Sequence, residues 1–289
     1  MSADLDYAVG EEHDRPTVLN GAGSIQDLQQ WMENCIKSFD KEGPGFEDIE
    51  PRGRVYIART IQYQSDTGLA QTGSAPNFFG GLWSLATCKR GMRRSNSFQK
   101  LFRAPDNEGV RRPKHPVFVL ACGSRSSAHD KPEWADSHRN WLASAAMVTH
   151  GFDRMEDYGR YLLETQVGPA KVKRLTHSSD RPGIAEDRGD CHVDETGQVH
   201  YPPANHQHGD GEVKATCGCT GQSSGRDPDN HIDNSDAHIK CVAESEYWLG
   251  WTEPKFALVP EEEFNVGYKN ARGYDDILAR FERVGGNHR

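Results

Sequence analysis

The sequence predicts an α+β fold, a mixed or antiparallel sheet with peripheral helices, and three observations predict it. Short apolar runs of strand length occur at Arg54–Tyr63, Val117–Cys122 and Trp141–Thr149. Amphipathic helical patterns stand near both ends and do not alternate with those strands, so a doubly wound sheet is disfavoured. A long polar stretch, residues 176–237, separates the strands from the C-terminal elements.

Residues 1–23 read as a flexible polar lead. Ser24 opens the first helix, and Ser24 with Asp27 has capping-box spacing, Asp standing where Glu is usual. Ile25, Leu28, Trp31, Met32, Cys35, Ile36 and Phe39 then recur every three or four residues and form one apolar face. Gly43-Pro44-Gly45 stops the helix. That face either packs on the main domain or docks a protein partner through residues 24–39. The domain reading is a lead plus helix over 1–50, followed by one α+β domain over 51–289.

Within that domain, Val55, Ile57 and Ile61 alternate, as a strand requires. Val117–Cys122 follows Pro116 and reads as a buried strand. Asp153 and Glu156 predict a capped helix over 154–165, burying Met155, Tyr158 and Leu162 and ending before Gly168-Pro169. A short strand is expected near Val193–Tyr201, with structure resuming at Ile239–Ala243 and Glu246–Trp251. The spacing of Ile277, Leu278, Phe281 and Val284 predicts a closing helix over Asp275–Val284.

No run approaches the roughly 18 apolar residues that span a bilayer. The acidic start, Met1-Ser-Ala-Asp-Leu-Asp, lacks the basic and apolar regions of a secretory signal, so the expected compartment is the cytoplasm. Seven cysteines in a reducing compartment are thiols or metal ligands. Residues 177–241 hold His177, His192, His200, His206, His208, His231 and His238 together with Cys191, Cys217, Cys219 and Cys241. Cys217-Gly-Cys219, with Cys191, His238 and Cys241, makes zinc a candidate cofactor, and a loop poor in apolar residues gains order from a metal. An unmetallated polar loop is the competing reading. The phosphate-binding signatures are absent from the sequence.

Charge is unevenly spread. Lys89, Arg90, Arg93, Arg94, Lys100, Arg103, Arg111, Arg112 and Lys114 face only Asp106 and Glu108 between them, a local +7. The whole chain carries −9, so the remainder carries −16. Phe98 and Phe102 lie among these cations, a composition suited to a phosphate backbone with stacked bases. The same run also reads as a solvated face matched to the acidic remainder. Gly123-Ser124, after a strand, is a place where turn N–H groups can meet an anion. An ordinary turn is the plainer reading.

The order of these segments carries a resemblance. Ala75-Pro-Asn-Phe-Phe-Gly-Gly-Leu-Trp-Ser-Leu-Ala-Thr-Cys-Lys89 precedes Arg93-Arg94, then Val117–Ser124, Ala145–Thr149, the Met155–Tyr161 helix, Gly189-Asp190 and Glu246–Gly250. From Arg54 to Arg272 this order resembles the second family of nucleotide-modification-associated domains, found beside DNA base hypermodification systems. The resemblance implies a nucleic-acid or modified-nucleotide binding role. It implies functional positions at Pro76, Asn77, Phe79, Gly80, Cys88, Lys89, Arg93, Arg94, Gly123, Ser124 and Asp190. In that reading Lys89, Arg93 and Arg94 meet phosphates, while Asn77 and Phe79 meet the base. An enzyme that makes or trims a modified nucleotide is the alternative, with Cys88 beside Lys89 as nucleophile because a neighbouring cation lowers a thiol pKa. An interaction protein docking through the 24–39 helix is a third reading. The strand order is also similar to the small barrels of the pseudouridine-synthase-and-archaeosine-transglycosylase type, an analogy of fold alone.

Overall fold

The computed structural model describes residues 23–42, 45–58, 61–64, 68–71, 76, 82–86, 89–125, 139–165, 239–251 and 254–284. In chain order the helices are α1 (Ile25–Glu42), α2 (Arg90–Arg93), α3 (Asn96–Gln99), α4 (Met155–Glu164) and α5 (Gly273–Leu278). The strands are β1 (Arg52–Ala58), β2 (Ile61–Gln64), β3 (Gly68–Gln71), β4 (Trp83–Leu85), β5 (Val110–Arg111), β6 (Val117–Gly123) and β7 (Leu142–Met147). They continue with β8 (His150–Phe152), β9 (Lys240–Ala243), β10 (Trp248–Gly250), β11 (Phe256–Leu258), β12 (Tyr268–Arg272) and β13 (Phe281–Arg283). Helices and mixed or antiparallel sheets together make the fold α+β. Among the described residues no helix is long and apolar enough to cross a membrane.

The chain divides into two compact units. Among the described residues, the first draws on those within Gly73–Arg112 and His150–Val242, the second on those within Pro16–Thr72, Pro113–Thr149 and Ala243–Arg289.

The second unit is built on a five-stranded sheet of order β10-β7-β6-β1-β12. β1 and β6 are parallel, whereas β12, β7 and β10 join antiparallel. The described strands leave β10 and β12 as the two edges of an open sheet, so a closed barrel does not form among them. β1 and β6 are buried along nearly their whole length, including Tyr56 and Arg54. The expected one-sided alternation is therefore replaced by strands covered on both faces.

Helix α1 begins as its sequence predicts. The Ser24 N–H donates to Asp27 Oδ2 at 2.6 Å, and the Asp27 N–H donates to Ser24 Oγ at 3.1 Å. Two N–H groups of the first turn are thereby satisfied reciprocally. The Ser24 hydrogen bonds hold the Asp27 carboxyl below its ordinary range. Leu28, Met32, Cys35, Ile36 and Phe39 are buried. Trp31 meets Phe118 of β6 edge-to-face at 5.8 Å, and Phe39 meets Tyr247 at 5.7 Å. This stripe is occupied by the chain's own second unit and is not offered to a partner. Each such side chain contributes about 1.5–3 kcal/mol by leaving water.

The closing helix is shorter than its spacing predicts. α5 ends at Leu278, and Phe281–Arg283 turns into a strand paired antiparallel with Phe256–Leu258. Backbone bonds from Val259 N to Arg280 O and from Val284 N to Lys255 O extend that ladder. Long-range pairing has overridden a helical period that four residues satisfied equally well.

In the first unit, β4, β9, β8 and β5 form a four-stranded sheet in that order. α4 buries Met155, Tyr158 and Leu162, as predicted. Its cap differs. Arg154 occupies the N-cap position without a side-chain cap bond, and Asp153 turns instead to Arg111. A bidentate ion pair outcompetes a single cap bond.

Candidate nucleic-acid interface

The basic segment enters its fold through one strained residue. Lys89 has φ 60°, and among the described residues it is the non-glycine residue in the left-handed region. Such a conformation costs an ordinary side chain about 1–2 kcal/mol. The Lys89 carbonyl accepts the N–H of Met92 at 3.0 Å and of Arg93 at 3.1 Å, which closes the turn of α2. Ser95 then caps back, its hydroxyl donating to the Met92 carbonyl at 2.8 Å. The Phe98 N–H donates to the Ser95 carbonyl at 2.9 Å and starts α3.

These two short helices sort the segment by face. Met92, Arg93, Phe98, Leu101 and Phe102 are buried, while Arg94, Asn96, Ser97 and Lys100 are exposed. Phe98 and Phe102 pack on each other with ring centroids 5.3 Å apart. They form core, so the expectation that they stack on bases among the cations gives way: adjacent helical turns carry apolar and charged residues to opposite sides.

Arg93 is a buried cation, 1% exposed. Its Nη1 donates to the Ile239 carbonyl at 3.1 Å, at the start of β9. The expected phosphate contact by Arg93 is replaced by this interior one, while Arg94 next to it faces solvent. Lys240 is likewise 1% exposed, and its ammonium donates to the Asp153 carbonyl. Arg111 pairs with Asp153 through Nε at 2.8 Å and Nη2 at 2.6 Å, and also donates to the Arg103 carbonyl at 2.8 Å. A carbonyl satisfies a cation's donors but does not cancel its charge, unlike a carboxylate.

His150 lies in the same unit, 5% exposed, stacked near Tyr161 at 4.7 Å between ring centroids. Burial, with a smaller contribution from Arg112, pushes its pKa down to about 3. It is neutral at physiological pH.

Cys241, one of the candidate zinc ligands, is buried with its thiol donating to the Ile239 carbonyl at 3.6 Å. Among the described residues no group of three or more His, Cys, Asp or Glu side chains is poised to hold a metal. Cys191, Cys217, Cys219 and His238 lie outside the described residues, as do Asn77, Phe79, Cys88 and Asp190.

Gly123 and Ser124 belong to the second unit, at the end of β6. The Gly123 N–H donates to the Trp141 carbonyl at 2.7 Å, so it is occupied and does not point at an anion. The Gly123 carbonyl accepts Asn140 Nδ2 at 3.0 Å, and Asn140 Oδ1 accepts the Phe264 N–H at 3.0 Å. Ser124 is 6% exposed. Beside this turn, Glu263 receives Arg139 Nε at 2.6 Å and Arg125 Nε at 3.2 Å, and Arg139 also reaches Glu282 at 2.6 Å.

The second unit also has an open recess of about 360 Å³ between α1, the 48–51 loop and α5. Its carboxylates are matched: Glu50 by Arg52 and Arg272, Asp48 by Arg52, and Glu33 by Lys37. Tyr274 on its wall is pushed up to about 12 by burial and then by Glu33.

The sequence reading missed the interior roles of Arg93, Lys240, Asp153 and Arg111. One signal was available: Lys240 interrupts the apolar run Ile239-Lys-Cys-Val-Ala243, and a lysine there must find a partner inside. No protein-family model, curated protein or solved structure matches the chain.

Proposed function

We propose that the first unit binds nucleic acid or a modified nucleotide through the basic segment, with Arg94 and Lys100 meeting phosphates and Lys89 beside them. The observation that carries this reading is the sorting of α2 and α3, whose buried aromatics hold Arg94 and Lys100 in solvent. In the same proposal, and on the resemblance to nucleotide-modification-associated domains, Asn77 and Phe79 meet the base.

Fluorescence anisotropy tests it, with single- and double-stranded DNA and with modified and unmodified nucleotides at two salt concentrations. Binding should weaken steeply with salt. The double variant Arg94→Ala, Lys100→Ala should lower the magnitude of the log K against log salt slope by about 1–2 and weaken binding across sequences. Unchanged affinity in that variant would return the segment to a solvated face.

A further inference from the structure

We infer that Arg93 is a positioning residue: its buried guanidinium ties the Lys89 turn to β9 and so holds the exposed cations in place without touching the ligand. The functional part of this inference rests on the reading above.

Three observations meet at this residue. The Lys89 backbone is in the left-handed region at φ 60°, where a lysine stays only if its surroundings hold it. The Arg93 N–H donates to the Lys89 carbonyl at 3.1 Å, so Arg93 closes that turn from its own backbone. Its side chain then reaches 146 residues along the sequence to the Ile239 carbonyl at 3.1 Å, and the side chain is enclosed. One residue therefore joins a strained local turn to a distant strand. α2 is only four residues long, too short to keep its shape from propensity, so it needs such an anchor. Arg94 follows Arg93 directly and is exposed, so its placement depends on the turn that Arg93 anchors.

The test compares Arg93→Ala and Arg93→Lys with Arg94→Ala in the full chain, by amide hydrogen exchange and by anisotropy on single-stranded DNA at two salts. In Arg93→Ala, exchange protection at the Met92 and Arg93-position amides should drop about tenfold or more, while the β6 amides of Val119 and Leu120 keep theirs. DNA affinity should fall about tenfold with the salt slope unchanged, because no phosphate contact is lost. Arg93→Lys, which retains a donor for Ile239, should restore part of both and serves as the test if the alanine variant does not fold. A slope that falls as far as in Arg94→Ala would mean that Arg93 itself meets phosphate, and intact protection at Met92 would mean that the anchor does not hold the turn. Either result overturns the inference. Wild-type protein that binds no DNA or nucleotide overturns the functional reading instead, and the exchange data still decide whether Arg93 anchors the turn.

Discussion

The two units treat buried cations differently. In the second, Arg139 and Arg280 meet the carboxylates of Glu263 and Glu262, and the part-exposed Lys269 also meets Glu262. In the first, Arg93 and Lys240 meet backbone carbonyls, and Arg111 divides its donors between Asp153 and the Arg103 carbonyl. Arg54 is the second unit's counter-example, donating to the Gly53 carbonyl, with a pKa lowered to about 10 by burial. Paired carboxylates cancel charge locally. Carbonyls satisfy the same donors but bring no countercharge of their own.

The largest expected effect separates the units by pH. His150 has a folded pKa of about 3 against an ordinary value near 6.5. Between those values the unfolded chain binds a proton that the folded one does not, so stability rises with pH there and is lost as pH falls below about 6.5. The loss should reach on the order of 3 kcal/mol at pH 4. In the second unit Asp48 is held low by the Glu50 N–H, and Glu50 by its bonds to Arg272 and Arg52. Those carboxylates favour the fold above their ordinary range near pH 4, and this is lost as pH falls through their lowered values. Hydrogen exchange from pH 7 to 4 should show the Phe98 amide losing protection before that of Leu120. His150→Phe, which keeps the aromatic contacts, should remove the early loss. If both amides weaken together in the wild type, the contrast fails.

Next in size is a pair of substitutions. Glu263→Gln leaves two arginines facing a neutral amide and should destabilise by about 2–3 kcal/mol, the low end for breaking a buried pair because Arg125 is part-exposed. Lys240→Met removes a buried charge in favour of an apolar chain of similar length and should be nearly neutral or stabilising. Chemical denaturation of both variants checks this. A loss in Lys240→Met as large as that in Glu263→Gln would show that carbonyl partners hold a cation as firmly as carboxylates do.

Packing offers a smaller contrast. A Cβ at Gly53 would lie 2.8 Å from Ile277 Cγ1, and one at Gly151 would lie 2.7 Å from Ile239 Cγ2. Each glycine-to-alanine change should cost about 1–2 kcal/mol by overpacking. Ile277→Ala, which removes Cγ1, should lower the cost of the first and leave that of the second unchanged, read as midpoint shifts in double-mutant cycles.

The smallest effect concerns Lys89. Lys89→Gly removes the left-handed strain but loosens the unfolded chain, so stability should change by less than about 1 kcal/mol, most of it favourable. On the proposed nucleic-acid reading, DNA affinity should fall at the same time because a cation is gone. Thermal melts and anisotropy on one sample read both, and a strongly destabilised variant would show that the lysine side chain holds the turn.

Local chemistry determined what the sequence alone could show. The Ser24–Asp27 box, the α1 stripe, β6, β7 and the buried face of α4 each follow from residues within a few positions of one another, so their periods and caps could be read directly. The α+β class followed from their order, and the concentration of cations between 89 and 114 followed from composition. Only the tertiary structure decided where those features were satisfied. Phe281 obeyed a helical period yet became strand because Phe256–Leu258 offered a ladder. β12 carries too polar a sequence, Tyr-Lys-Asn-Ala-Arg, to stand out before β1 pairs with it. Asp153 had the spacing of a cap and went to Arg111. Arg93 and Arg94 are identical neighbours in sequence, yet one is sealed against Ile239 and the other faces water. Composition sets how many charges a segment has. Which of them stay in solvent depends on partners more than a hundred residues away, and a local pattern carries no record of those.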